Sequence, residues 1–489
     1  MSPGAKVMTA GHIPTSSAQL KFLLGTSAEN LIRLESILTR RRELGSAPEF
    51  QAIIAAMLGH CANYRQHYLQ HAPIITKVLR DVPISPIEEI GLKTLFRNCI
   101  GTFLVLHELL LFLPRETLRK ELHFFCDELF RPAYDSGDLS VILTSVYNAF
   151  EYSLDSALRQ SDVFLMKVPD PNKLAFGHVM ELAIVDRDNP LSWPILAHEF
   201  GHYIDQKFTI SDPLTENFID TELKVPPTQR GHFRKIFKPL ASELFADLTA
   251  YYLLGPVAIL PVVNMELTFG MATEKPIPYD GVHPFTSTRL QVITDAAAAD
   301  HMTLGLFGMY TQALNEDETA KVSRLPQSDQ KERASVRQYT TFFAQRLRGV
   351  FLEKIAELNL ARFNVEHFRT AEQLRTNLDG GIPIGCKRQV TDETIWDRLS
   401  QLTSASTVAE IRDAFALYRE VPVRVAEVLT AAWIANAGRK IRALTDAFAL
   451  GDIDGVFPFL QQSLERQDAL VMKSIEMISV VKEMVSAPQ

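Results

Sequence analysis

The spacing of apolar residues along the chain is helical over most of its length. Five segments within the first 160 residues carry apolar side chains at intervals of three and four, which predicts an up-and-down helical bundle. The same periodicity returns at Leu191 and continues towards the C-terminus. We therefore expect a mainly α protein with an N-terminal helical region (1–160), a central core (161–325) and a C-terminal helical region (326–489).

The pattern changes between residues 162 and 187. Asp162–Val168 and His178–Val185 are rich in Val, Leu, Ile and Phe, and they flank a segment that contains Pro, Asp, Asn and Gly. Two short strands joined by such a segment predict a β-hairpin, so the central core is expected to be a small α+β unit. The free edge of its second strand could pair with an extended peptide.

A metal-binding pattern follows directly after these predicted strands. His198-Glu199-Phe200-Gly201-His202 lies in a helical segment, where residues i and i+4 project from one face. His198 and His202 can therefore meet one zinc ion, and Glu199 is placed to hold a water bound to it. From the composition of the chain, a His-acid-x-x-His pattern is expected by chance about 0.04 times. The pattern alone is therefore only suggestive, and the neighbouring segments decide whether it is a metal site.

A second helical segment supplies the remaining ligand. Glu243 and Asp247 are also i and i+4, and their neighbours are mostly apolar. Because buried carboxylates need a cation or hydrogen-bond donors, we favour a metal site over an exposed acidic face. A carboxylate from this helix would complete a His₂Glu zinc site, and Asp247 could accept the N–H of a liganding imidazole.

A third segment, Tyr-Asp-Gly-Val-His-Pro-Phe-Thr-Ser-Thr-Arg-Leu, contains His283 and Arg289. On residue chemistry alone, His283 is equally well a buried structural histidine or a group that faces the metal. In the second case it would donate a hydrogen bond to an oxyanion or occupy the fourth coordination position. The other candidates for the oxyanion donor are three tyrosines: Tyr251, Tyr252 and Tyr279.

The order of the three motifs resembles a known family. HEFGH, ELFAD and HPFTSTRL, over about residues 178–300, resemble the H-E-x-x-H, E-x-x-A-D and H-P-x-x-x-x-R-[IL] motifs of the CAAX-prenyl-endopeptidase-like gluzincins. The resemblance implies a zincin-like catalytic core and peptide-bond hydrolysis. It also implies these roles: zinc ligands His198, His202 and Glu243, general base and acid Glu199, ligand support by Asp247, a place near the active site for His283, and a loop anchored by Arg289.

These observations together predict a zinc metallopeptidase that acts on protein or peptide substrates. Two alternatives remain open at this point. One is a latent or non-catalytic zinc-binding helical protein with a regulatory role, in which His283 as fourth ligand would close the site. The other is a metal-dependent hydrolase of a non-peptide amide, because the same zinc-water chemistry serves either bond.

Composition narrows the cellular setting. The net charge is −8 and no array of basic and aromatic residues is present, so nucleic-acid binding is not expected. The four cysteines are scattered, which suits a reducing compartment and no disulfide scaffold. The longest apolar runs are shorter than the roughly 20 residues that a membrane span needs. We therefore expect a soluble, cytoplasmic protein whose oligomeric state the sequence leaves open.

Overall fold

The computed structural model describes most of the chain in separate ranges. They are 17–43, 48–96, 120–134, 142–146, 179–183, 189–264, 281–385, 422–449 and 455–486, with single positions at 267, 276, 401, 406, 407, 409 and 410. The predicted features that fall outside these residues include the strand Asp162–Val168, the oxyanion-donor candidate Tyr279 and parts of the predicted N-terminal helical segments.

Long helices make up nearly all of the described structure, as the apolar spacing predicts. The N-terminal helices are α1 (Ser17–Glu43), α2 (Pro48–Gln70), α3 (Ala72–Leu79) and α4 (Lys120–Tyr134). The central helices are α5 (Ile195–Phe208), α6 (Ser211–Asn217), α7 (Arg230–Leu254) and α8 (Thr286–Ala299), and a π-helical turn, Phe218–Glu222, follows α6. The later helices are α9 (Gly305–Val322), α10 (Gln327–Glu357), α11 (Val365–Asp379), α12 (Val425–Ala449) and α13 (Val456–Ser486).

The predicted zincin-like α+β core with a β-hairpin is wrong. The only strands among the described residues are β1 (Ile142–Val146) and β2 (Val179–Ala183), and they pair in parallel with Ile142 opposite Val179. Parallel strands require a long crossover, whereas a hairpin joins antiparallel neighbours through a short turn. Residues 142–146 were expected to be helical, and the motif-bearing part of the described chain is built from helices.

Two hydrophobic clusters hold the helices together. The larger cluster draws buried side chains from α4, α5 and α7 through to α13, and Trp193, Phe245 and Phe351 are among its largest fully buried members. The smaller cluster joins α1, α2 and α3 to the end of α12 and the start of α13. Helices from the two ends of the chain therefore pack on each other, and the division at residues 160 and 325 stays a prediction.

Helix α7 runs through the middle of the larger cluster. Arg230–Asn264, which begins with α7, is the one described segment long and apolar enough to cross a membrane, but 94% of its most apolar window is buried inside the protein. The helix ends at Gly255, which has a φ of 75° and lies so close to Phe363 that an added Cβ would be 2.4 Å from the ring. The predicted cytoplasmic location stays a prediction.

Candidate metal centre

Helices α5 and α7 pack more closely than side chains normally allow. A Cβ built on Gly201 of α5 would lie 2.5 Å from Cα of Ala246 and 2.9 Å from its carbonyl oxygen. Only glycine permits this approach, because backbone atoms of α7 fill the space that a side chain would need. The contact lies between the two halves of the predicted site, since Gly201 precedes His202 and Ala246 precedes Asp247.

The close approach brings the three predicted zinc ligands together. The Nε2 atoms of His198 and His202 are 3.1 Å apart. Glu243 Oε2 lies 3.5 Å from Nε2 of His198, and its Oε1 lies 3.3 Å from Nε2 of His202. All three residues are buried, and in the described part of the chain they form the only cluster of His, Cys, Asp or Glu suited to a metal.

These separations fit a single ion with tetrahedral ligands. Bonds of 2.0–2.2 Å from one zinc ion place neighbouring ligand atoms about 3.3–3.6 Å apart. The observed separations of 3.1–3.5 Å are close to that range. Oε2 of Glu243 is buried and makes no hydrogen bond within the described structure. A buried carboxylate oxygen without a donor is costly, and a bound cation would remove that cost.

Each imidazole is oriented through its other nitrogen. His198 Nδ1 is 2.9 Å from Oδ1 of Asp247, and His202 Nδ1 is 3.2 Å from Oγ of Ser242. Both Nδ1–H groups can therefore donate to α7, which leaves each Nε2 as the ligand atom. Asp247 lies where the sequence analysis placed it, whereas Ser242 was missed because a serine in a helix carries no distinctive signal.

Arg289 neutralises the acidic side of the site. Its Nε and Nη2 atoms donate to the two oxygens of Asp247, each at 2.7 Å, and Nη2 is 3.7 Å from Oε2 of Glu243. The guanidinium side chain is only 7% exposed, so this two-pronged pair is buried. Arg289 therefore supports the residue that orients His198, a more direct role than the loop anchor that the resemblance implies.

The electrostatics of the site favour positive charge at its centre. Burial disfavours the imidazolium form of His198, but Asp247 and Glu243 outweigh it and raise the pKa of His198 to about 10. Burial and the charge of His198 lower the pKa of His202. Burial opposes ionisation of Glu243 and Asp247, yet the neighbouring His198 and Arg289 hold the pKa of both carboxyls below its usual range. These charges would stabilise a cation where the side chains converge.

Glu199 is buried in α5, the helix that carries the two ligand histidines. It is 5% exposed and directly follows His198 in α5. Its role as the general base stays a prediction from the motif.

His283 comes close to the site from the loop before α8. Its Nε2 is 3.5 Å from Oε1 of Glu243, and its side chain is 54% exposed, so it is not a buried structural histidine. Two contacts from α10 hold the residues that follow it: Arg333 lies over the Phe285 ring at 4.8 Å, and Arg337 donates to Ser287. His283 therefore sits at the boundary between the buried ligands and solvent.

The two described tyrosine candidates are engaged outside the ligand cluster. The Tyr251 hydroxyl donates to Oδ2 of Asp300 at 2.7 Å. The ring of Tyr252 packs under the guanidinium of Arg362, which is itself paired with Asp300. Of the described candidates for an oxyanion donor, His283 is the one with a contact to a ligand residue.

Comparison with known proteins adds no relative: no family model, no curated protein and no solved structure matches this chain. The resemblance to the gluzincins therefore rests on the three sequence motifs alone. The function of the site is argued from the distances and charges of its own residues.

Proposed function

We propose that the protein is a zinc-dependent metallopeptidase whose zinc ligands are His198, His202 and Glu243. The observation that carries the proposal is the convergence of the two Nε2 atoms and the Glu243 carboxylate, 3.1–3.5 Å apart at buried positions. Three protein ligands leave a fourth position for water, as in catalytic zinc sites. Structural zinc sites usually have four protein ligands.

Hydrolysis of a peptide needs a base, a proton donor and stabilisation of negative charge. A zinc ion held by His198, His202 and Glu243 would supply Lewis acidity and would lower the pKa of a bound water to about 7. Glu199 accepts the proton of the attacking water and returns it to the leaving nitrogen as the C–N bond breaks. His283, half exposed beside Glu243, is the proposed donor to the oxyanion of the substrate carbonyl. Asp247 and Arg289 hold His198 in position.

The substitution Glu199→Gln tests the catalytic part of this proposal. Glutamine has the shape of glutamate but cannot accept the proton, so we expect activity on unfolded casein and a peptide library to fall at least about 100-fold. Because Glu199 is not a ligand, the variant should keep the zinc content of the wild type. Mass spectrometry of peptides released by wild type and variant is the measurement, and cleavage by the variant at the wild-type rate would contradict the assignment.

One observation favours a second candidate, a latent zinc protein. His283 Nε2 lies 3.5 Å from Oε1 of Glu243, which is close enough for a small movement of the loop to make it a fourth ligand. Such a site would be closed, and the protein would act as a zinc-binding helical protein until His283 is displaced.

The substitution His283→Ala separates the two candidates. If His283 stabilises the oxyanion, the variant keeps zinc and its kcat falls by about 100-fold or more, with little change in KM. If His283 closes the site, the wild type contains zinc but is inactive, and the variant gains activity. Zinc content and peptide turnover, measured on both proteins, distinguish these results.

A further inference from the structure

A pocket lies away from the proposed metal centre, among α1, α9 and α12. Its volume is about 310 Å³, at the lower end of the roughly 300–1,000 Å³ range of small-molecule sites. Phe22, Met309, Tyr310 and Trp433 contribute to its walls. The rings of Phe22 and Tyr310 pack edge to face at 5.6 Å, and the indole N–H of Trp433 donates to the Leu191 carbonyl. These contacts fix the orientation of three aromatic side chains in the pocket wall.

Three polar side chains line this pocket without a hydrogen bond from the described part of the chain. They are Thr26, Tyr310 and Asn436, which are 3%, 5% and 2% exposed. Buried hydroxyl and amide groups are nearly always hydrogen-bonded in native proteins. All three can donate a hydrogen bond, through two hydroxyls and one amide NH₂. The pocket thus combines apolar walls with three hydrogen-bond donors and with one buried acceptor, Asn436 Oδ1, that has no partner in the described structure.

The charges at the pocket cancel. Lys21 and Asp81 are the only charged residues in its lining, and their side chains pair at 2.7 Å. Asp81 also accepts a hydrogen bond from the Ser17 hydroxyl. Because the ammonium and the carboxylate neutralise each other, the lining carries no net charge. The lining therefore favours an uncharged molecule.

We infer that this pocket binds a small neutral molecule with an apolar, preferably aromatic, body and a carbonyl oxygen that accepts a hydrogen bond from the Tyr310 hydroxyl. The Thr26 hydroxyl and the Asn436 amide are the other uncharged polar side-chain groups of the lining. The site shares no residue with the metal centre, so it stands independently of the proposed peptidase function. Binding at this pocket would be a second property of the protein, which the metal-binding motifs do not predict.

Three probes of matched size test the predicted chemistry on the full chain. Acetophenone has an aromatic ring and a carbonyl acceptor, α-methylstyrene replaces the carbonyl by a C=CH₂ group of similar shape, and benzoate carries a charge. We expect ligand-observed NMR titrations to show that acetophenone binds at least about tenfold more tightly than either other probe, as one hydrogen bond to a buried group requires. Equal binding of acetophenone and α-methylstyrene, tighter binding of benzoate, or no binding of acetophenone would overturn the proposal.

Three variants test whether the probes bind in this pocket. Tyr310→Phe keeps the ring against Phe22 and removes only the hydroxyl, so acetophenone affinity should fall severalfold while that of α-methylstyrene stays unchanged. Ala437→Leu adds bulk to the pocket lining and should abolish binding of both probes. Ala55→Leu, at an exposed position of α2, is the matched control and should bind as the wild type does. Unchanged acetophenone binding by a folded Ala437→Leu protein would contradict the location.

Discussion

The carboxylate of Asp247 contacts two side chains, the imidazole of His198 through Nδ1 and the guanidinium of Arg289. Its side chain is only 2% exposed, so neither interaction is shared with water. The acidic pair in ELFAD could be recognised from the sequence because carboxylates are rare among buried apolar neighbours. The donor that neutralises Asp247 comes from a helix that begins 39 residues later, and no local pattern could have specified that pairing.

The substitution Asp247→Asn should weaken both interactions. Because partners that orient a liganding histidine contribute about 10–100-fold to metal affinity, we expect zinc binding to weaken by that factor. Removing the charge also leaves the buried Arg289 without its main counter-ion, which should lower the free energy of unfolding by about 3 kcal/mol. Competition with a zinc chelator and urea denaturation measure these effects.

Asp212→Asn is the control for that substitution. Asp212 pairs with Lys238 of α7 at 2.8 Å, but its side chain is 50% exposed. An exposed ion pair contributes at most about 1 kcal/mol, so this variant should keep its zinc affinity and nearly all of its stability. If Asp212→Asn and Asp247→Asn behaved alike, the proposed support of His198 by Asp247 would be wrong.

At the scale of elements, the site depends on how closely α5 and α7 approach. Helical periodicity correctly predicts that both motifs lie on helices and which residues share a face. It does not predict the crossing, which is set by Gly201 against the backbone of Ala246. The hairpin prediction failed for a related reason: segments 142–146 and 179–183 are far apart in sequence, and local patterns cannot reveal that they pair in parallel.

Gly201→Ala should separate the two helices. A methyl group at this position would lie 2.5 Å from Cα of Ala246, and backbone atoms cannot rotate away as a side chain does. We expect the free energy of unfolding to fall by about 1–3 kcal/mol and zinc affinity to fall with it, because the ligands come from both helices. Thermal denaturation and chelator competition are the measurements.

Gly349→Ala is the control, and we expect it to raise the stability that Gly201→Ala lowers. Gly349 lies inside α10, and a Cβ there would meet nothing within 4 Å. Alanine is favoured over glycine by about 1 kcal/mol within a helix, so this variant should be more stable than the wild type. A Gly201→Ala protein that was stabilised to the same degree would show that the close contact does not constrain the site.

In the whole molecule, the candidate metal centre lies within the larger hydrophobic cluster. That cluster includes side chains from α5, α7 and α8, which carry all the proposed ligands and Arg289. The sequence predicts that these helices bury apolar faces, and it predicts the ligands from two short motifs. It cannot predict that helices from both ends of the chain pack together, because those contacts join residues hundreds of positions apart.

Zinc content is the most direct test of the account, because the proposed function requires one ion held jointly by α5 and α7. We expect purified wild type and Glu199→Gln proteins, prepared with zinc present, to contain about one zinc ion per chain by elemental analysis. Glu243→Gln keeps the size of the ligand but removes its charge, and it should lose most of the metal. A wild type without zinc, or a Glu243→Gln protein with the wild-type content, would contradict the central claim.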